Sequence, residues 1–189
     1  MIRIEGINDL LIDGKLKDYL VNPEYHIGGI IGSVGKEETT LINLENKGLI
    51  KSIKSDNILN ASSDGKMVIG GIIGYIENGS NLHQLSLLLN NGNIDTYDLL
   101  LPNYTQYIGG IIGLSSGQGF TLNSEFGSWT NNGTINNYAN QNIIKAAGIA
   151  VTNHQEKSEY IYLQNNNTFS TNNFDKFHYT ALIYNLSDE

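Results

Sequence analysis

The sequence predicts an all-β parallel β-helix (β-solenoid). A hexapeptide repeats at near-constant spacing, a second motif follows each copy, and the composition disfavours helices. Ile27-Gly28-Gly29-Ile30-Ile31-Gly32 recurs unchanged as Ile69-Gly70-Gly71-Ile72-Ile73-Gly74 and as Ile108-Gly109-Gly110-Ile111-Ile112-Gly113, at offsets of 42 and 39 residues. A weaker copy, Ala146-Ala147-Gly148-Ile149-Ala150-Val151, comes 38 residues later, and Tyr179-Thr180-Ala181-Leu182-Ile183-Tyr184 is a decayed fifth. The second motif is Asn-x-Gly before an apolar residue: Asn46-Lys47-Gly48-Leu49-Ile50, Asn90-Asn91-Gly92-Asn93-Ile94 and Asn131-Asn132-Gly133-Thr134-Ile135. Asn165-Asn166-Asn167-Thr168-Phe169 is its degenerate fourth copy, and Ile12-Asp13-Gly14-Lys15-Leu16 an earlier half-copy. The 26 Asn and 21 Gly among 189 residues make poor helix interiors, while the abundant Ile favours strands.

Short apolar runs bounded by Asn, Gly, Ser and Asp read as strands and turns. Two strand-turn motifs in each 38–42-residue repeat predict about two coils per repeat, with parallel strands about 4.8 Å apart. About nine such coils give a rod of roughly 45 Å. A β-propeller is the alternative, since its blades also span about 40–50 residues. Its weakness is the small number of units for ring closure. Residues 1–151 form the repeat solenoid, with repeats starting near 27, 69, 108 and 146. Residues 152–189 form a degenerate repeat or an aromatic-rich C-terminal cap.

Taken as one strand, the hexapeptide places Ile27, Gly29 and Ile31 on one face and Gly28, Ile30 and Gly32 on the other. Gly29, at the third position, lets a facing sheet approach closely or makes room for a large side chain opposite. Ile30, Ile72, Ile111 and Ile149 then form a candidate contact stripe, unless a loop or second layer covers them. Asn46, Asn90, Asn131 and Asn165 are either a ladder of stacked amides at a turn or a polar ligand track. The ladder is favoured, because Gly48, Gly92 and Gly133 suit a turn that needs positive φ. Helical period is weak, and its best candidate, Leu82 to Leu89, also reads as a strand with Leu85, Leu87 and Leu89 on one face.

The net charge of −8, with 11 Lys+Arg against 19 Asp+Glu and Arg3 the only arginine, excludes nucleic acid as a partner. The absence of Cys excludes disulfides, thiol catalysis and Cys-ligated metals. No run approaches the roughly 18 apolar residues of a membrane-spanning helix. Met1 to Glu5 does not open a signal peptide, so the chain is either a secreted or surface fragment of a larger exported precursor or, with no export signal upstream, cytoplasmic.

No cofactor, metal or catalytic set is expected. His26, His83, His154 and His178 lack ligand spacing. Glu37-Glu38 and Asp188-Glu189 read as solvated charges, and Asp56, Asp64, Glu77, Asp95 and Asp98 gather only if the fold brings them together. The sequons at Asn60, Asn78, Asn103, Asn132, Asn166 and Asn185 are expected by chance in so Asn-rich a chain. Tyr160, Tyr162, Phe169, Phe174, Phe177, Tyr179 and Tyr184 form either a cap over the core or a sugar platform. Tyr104, Tyr107 and Trp129 are a second platform candidate.

The pairing of the Gly-Gly-Ile-Ile-Gly hexapeptides with a downstream Asn-x-Gly resembles the GLUG-type repeat of bacterial surface proteins. It is also similar to Asn-rich passenger segments of large autotransporters, including the vacuolating-cytotoxin-like group. The resemblance spans most of residues 25–169. It implies a right-handed parallel β-helix, export to the cell surface and an adhesin or toxin-passenger role, without supplying active residues. The expected function is therefore a non-catalytic structural or adhesive module of a secreted or surface-exposed bacterial protein. Expected partners are a host-surface protein or glycan and flanking solenoid coils of a longer chain. The alternatives are a toxin passenger that self-associates through the isoleucine stripe, and a β-helix carbohydrate enzyme with paired carboxylates.

Overall fold

The computed structural model describes residues 12–13, 24–35, 39–52, 65–77, 84–98, 104–116, 128–153, 163–171 and 173–186. Strand β1 (Ile12–Asp13) precedes a first coil of β2 (Glu24–Gly28), β3 (Ile31–Val34), β4 (Thr40–Asn46) and β5 (Ile50–Lys51). A second coil holds β6 (Lys66–Gly70), β7 (Ile73–Ile76), β8 (Gln84–Asn90) and β9 (Ile94–Thr96). The third holds β10 (Thr105–Gly109), β11 (Ile112–Ser115), β12 (Trp129–Asn131) and β13 (Ile135–Asn137). The fourth holds β14 (Ile143–Ala147), β15 (Ala150–Thr152), β16 (Leu163–Asn165) and β17 (Phe169–Thr171). Strands β18 (Phe177–Thr180) and β19 (Ile183–Asn185) begin a fifth.

Each strand pairs with its counterparts in adjoining coils, which makes four sheets: β2-β6-β10-β14-β18, β3-β7-β11-β15-β19, β4-β8-β12-β16 and β1-β5-β9-β13-β17. All the pairings among the described residues are parallel. The chain is thus an all-β parallel β-helix. A propeller is excluded, because the strands pair between repeats and not within a blade.

The coil count differs from expectation. Ile27 pairs with Ile69, Ile69 with Ile108, Ile108 with Ala146 and Ala146 with Tyr179. One repeat is therefore one coil, not two. The strands are short, and four sides are used to close a circuit around the core. Five strand levels at about 4.8 Å span about 19 Å, in place of the longer rod. The N-terminal half-copy also shifts, because Ile12 pairs with Ile50 and not with a turn residue. Strands from 163 to 185 extend all four sheets, so the degenerate-repeat reading describes them.

The hexapeptide is not one strand. Strand β2 stops at Gly28, the chain bends at Gly29 and Ile30, and β3 starts at Ile31. The predicted face alternation fails at that corner. Ile27, Ile69 and Ile108 pack in one core cluster with Ile50, Ile94 and Ile135. Ile30, Ile72, Ile111 and Ile149 pack in a second cluster with Leu44, Leu88 and Trp129. Ile72, Ile111 and Ile149 are 0% exposed, so the candidate contact stripe is core and not surface. Full burial of one such side chain stabilises by roughly 1.5–3 kcal/mol.

In β4 and β8 the strand alternation also slips. Asn43 and Leu87 have φ of 60° and 54°, the only positive values at non-glycine residues described. Leu85 and Leu88 are buried while Leu87 is 44% exposed, which corrects the predicted Leu85-Leu87-Leu89 face. The left-handed residue reverses the phase of the strand, as in a bulge.

Candidate functional site

The repeated polar residues converge at the corner between β4, β8, β12 and β16 and the sheet that follows. Asn46, Asn90 and Asn131 are at most 2% exposed, and Asn165 is half-buried. Asn46 Nδ2 donates to Asn90 Oδ1, Asn90 Nδ2 to Asn131 Oδ1, and Asn131 Nδ2 to Asn165 Oδ1, each at 2.9 Å. Each Nδ2 also donates to the carbonyl two residues on, at Gly48, Gly92, Gly133 and Asn167. The Gly48, Gly92 and Gly133 amides donate back to the Oδ1 of their own rung at 3.1–3.2 Å. Asn90 and Asn131 thus have both amide hydrogens and two acceptor positions engaged. That saturation stabilises a buried amide, which otherwise costs about 1–3 kcal/mol per unmet group. The ladder reading is what the chain forms, and these amides leave nothing pointed at a ligand.

A second asparagine ladder lies outside the first. Asn91 Nδ2 donates to Glu45 Oε1, Asn132 Nδ2 to Asn91 Oδ1 and Asn166 Nδ2 to Asn132 Oδ1, each at 2.7 Å. Inner rungs donate towards the C-terminal end, and outer rungs towards the N-terminal end. The two rows of amide dipoles therefore oppose one another.

The two sequence motifs touch here. A Cβ at Gly29, Gly71, Gly110 or Gly148 meets Cγ of Asn46, Asn90, Asn131 or Asn165 at 2.5–2.7 Å, and the next coil's carbonyl at 2.0–2.2 Å. Each of these glycines makes room for an asparagine rung. At Gly28, Gly70 and Gly109 a Cβ meets the carbonyl of Ile31, Ile73 or Ile112 at 1.7–1.8 Å. Gly74 and Gly113 lie against the backbones of Ile27 and Ile69, while the end-of-stack Gly32 has looser surroundings. In the Asn-x-Gly turn, a Cβ at Gly92 or Gly133 meets the preceding coil's Gly48 or Gly92 carbonyl at 1.8–2.0 Å. Neither glycine has φ in the left-handed range. Close approach between coils, and not a left-handed turn, explains both.

Sequence reasoning missed a third polar column. Thr96 donates to Asn137 Oδ1 at 3.2 Å, and Asn137 Nδ2 donates to Thr171 Oγ1 at 3.0 Å. Its residue types vary, so no motif marks it. Beside it, Asp98 Oδ1 accepts the amides of Gln141 and Asn142, and Oδ2 accepts that of Asn140, at 2.7–3.1 Å. This carboxylate staples one coil to the next.

The remaining candidates are dispersed. His26 sits at the first level, with Nε2 2.6 Å from Glu24 Oε1 and its ring stacked on Tyr75 at 4.1 Å. Lys66 Nζ is 2.9 Å from the same Glu24 oxygen. Burial alone raises the Glu24 pKa, but the hydrogen bonds and charges of His26 and Lys66 together lower it. His178 shares this column four levels on, with Val68, Tyr107 and Lys145 between. Tyr104 and Trp129 are 0% exposed, so they are core and not a sugar platform. Burial pushes the Tyr104 hydroxyl well above the ordinary tyrosine range, and the nearby Tyr25 adds to this. The Trp129 indole donates to the Leu85 carbonyl at 3.1 Å. Phe169, Phe177 and Tyr179 pack on one another at 4.7–5.8 Å in the last levels, while Phe174 is 72% exposed. An unforeseen pair, Tyr97 and Tyr138, stacks at 5.0 Å with Lys51 over the Tyr97 ring.

Among the described residues no group of three or more His, Cys, Asp or Glu is placed to hold a metal ion. No described helix is long and apolar enough to cross a membrane. His83, His154, Asp56, Asp64, Glu37-Glu38, Asp188-Glu189, Asn60, Asn78, Asn103, Tyr160 and Tyr162 lie outside the described residues. Compared with known proteins, the chain matches no family model, no curated protein and no solved structure.

Proposed function

We propose that the chain is a non-catalytic structural or adhesive module of a secreted or surface-exposed bacterial protein. The observation that carries this reading is the saturation of the inner ladder: the polar group built into each repeat bonds its neighbours and its own turn. A sequence that repeats chiefly to stack on itself is suited to a stable, extended scaffold. Three of the described acidic groups are used in a similar way. Asp98 holds backbone amides, Asp95 accepts from Asn136, and Glu24 meets His26 and Lys66. The resemblance to GLUG-type and autotransporter passenger repeats supports export and a right-handed coil, the hand that parallel crossovers nearly always take. Its partners are then flanking solenoid coils and a host-surface protein or glycan. The toxin-passenger alternative loses its proposed interface, since the isoleucine stripe is buried.

One screen tests this reading. The purified chain is applied to a glycan array and to immobilised host-surface proteins, and incubated with polysaccharides. Specific binding supports the adhesive form. No binding, together with protease resistance across residues 24–186, supports the spacer form. Cleavage of any polysaccharide overturns the proposal in favour of a carbohydrate enzyme.

A further inference from the structure

We propose that Asn91-Gly92 and Asn132-Gly133 are latent deamidation sites that the asparagine ladders hold closed. Both asparagines are exposed on the outer ladder, and each precedes a glycine. An asparagine before glycine is chemically the most prone to cyclise, because no side chain hinders the following amide. In this step the Gly133 amide gives its proton to solvent base, and its nitrogen attacks Cγ of Asn132. A carbon–nitrogen bond forms, and Nδ2 leaves as ammonia after taking up a proton from solvent. Water then opens the resulting succinimide at either carbonyl, leaving aspartate or isoaspartate.

The folded chain obstructs both reacting groups. The Gly133 N–H donates to Asn131 Oδ1 at 3.1 Å and to the Asn90 carbonyl at 3.2 Å. The Gly92 N–H donates to Asn90 Oδ1 at 3.2 Å. Each nucleophile's proton is therefore held by the inner ladder. The side chains that must be attacked are held by the outer ladder. Asn132 Nδ2 is 2.7 Å from Asn91 Oδ1, and Asn132 Oδ1 accepts from Asn166 at 2.7 Å. Asn91 is bound likewise, between Glu45 and Asn132. Cyclisation requires a local opening that releases both rows at once.

The neighbouring levels supply internal controls. The equivalent position is Lys47 in the first coil, which cannot cyclise, and Asn166 in the fourth, where Asn167 replaces glycine. Reaction at Asn132 also removes the donor that reaches Asn91 and places a negative charge against its Oδ1. Isoaspartate further lengthens the main chain between β12 and β13. Opening is thereby made permanent, and loss of one rung weakens the next.

The test incubates the full chain at mildly alkaline pH, folded and in concentrated urea, with peptide mass mapping over time. Both sites are expected to deamidate in urea, faster than Asn166. In the folded chain both are expected to react at least about tenfold more slowly, in proportion to the population of the open form. Asn131→Ala, which removes one acceptor of the Gly133 amide, is expected to speed reaction at Asn132 severalfold. Equal rates in folded and unfolded chains, or no reaction in urea, overturns the proposal. If Asn131→Ala does not fold, hydrogen exchange of the Gly92 and Gly133 amides in the unaltered chain decides. Slow exchange supports the closed state, and unprotected exchange overturns it.

Discussion

The central levels of the stack and its last level share the same sheets but differ at the slots where coils touch. The first glycine of the hexapeptide, Gly28, Gly70 and Gly109, becomes Ala147 and then Thr180. The third, Gly32, Gly74 and Gly113, becomes Val151 and then Tyr184. The second survives one copy longer, as Gly29, Gly71, Gly110 and Gly148, before Ala181. Only this slot faces both its own asparagine rung and the next coil's carbonyl. Gly148 still has Asn165 and the Ala181 carbonyl against it, whereas no described coil lies beyond Ala181. At the level of Ala147, the register between β11 and β15 shifts. The glycines therefore differ in what they permit, and the strictest one is the one that couples two motifs.

Substituting that slot in the middle of the stack gives the largest expected effect. In Gly110→Ala the new Cβ meets the Gly148 carbonyl at 2.1 Å and Asn131 Cγ at 2.5 Å, and both belong to fixed parts of the stack. Such overpacking costs about 3 kcal/mol. Ala181→Gly at the last level is expected to change stability by less than about 1 kcal/mol. Urea unfolding of the two variants checks the comparison. Equal effects mean that the position along the stack does not matter.

The rungs give the next contrast. Asn131→Ala removes bonds to Asn90, Gly133 and Asn165 and leaves the buried Asn90 amide one acceptor short. A loss of about 2 kcal/mol is expected. Asn165→Ala, at a half-buried end rung, is expected to cost about 1 kcal/mol. A larger loss for Asn165→Ala than for Asn131→Ala would falsify the interior-ladder account.

The same contrast explains what was legible in the sequence. Identical hexapeptides reveal that coils stack, because each slot meets the same surroundings at each level. The all-β parallel fold and the asparagine ladder were both readable from that periodicity. The coil count was not, since a motif spacing does not say how many corners close a circuit. The corner at Gly29 and Ile30 was hidden too, because a strand and a tight strand-bend-strand share the same apolar pattern. The ladder through Thr96, Asn137 and Thr171 leaves no motif, since different residue types donate and accept equally well. Asp98 finds its amides through a loop of the next coil, and that pairing depends wholly on the fold.

A smaller effect separates the first and second levels at the bulge. Asn43 and Leu87 hold equivalent left-handed positions, but asparagine adopts that conformation at lower cost than leucine. Leu87 is also 44% exposed, so it has little packing to lose. Leu87→Asn is expected to stabilise the chain by about 0.5–1 kcal/mol. Thermal unfolding checks this, and destabilisation means that Leu87 contributes packing that outweighs its strain.

The smallest effect belongs to the first level, where Glu24 meets His26 and Lys66 while the third and fourth levels carry Thr105 and Ile143 in the same register. Burial works to raise the Glu24 pKa, but His26 and Lys66 outweigh it and lower the folded value. A folded pKa below the unfolded one contributes stability above the unfolded value, about 4.3 for glutamate. That contribution falls away as the pH drops through the lower, folded value. Because Glu24 and Lys66 are each 35% exposed, solvent screening holds the contribution below about 0.5 kcal/mol. Glu24→Gln is therefore expected to be slightly less stable than the unaltered chain at pH 7, with a smaller gap at pH 3. Urea midpoints at the two pH values measure the difference, and added salt is expected to shrink it. A gap that does not narrow between pH 7 and pH 3 means that Glu24 acts through packing and neutral hydrogen bonds. The first level would then resemble the uncharged levels more closely than its ion pairs imply.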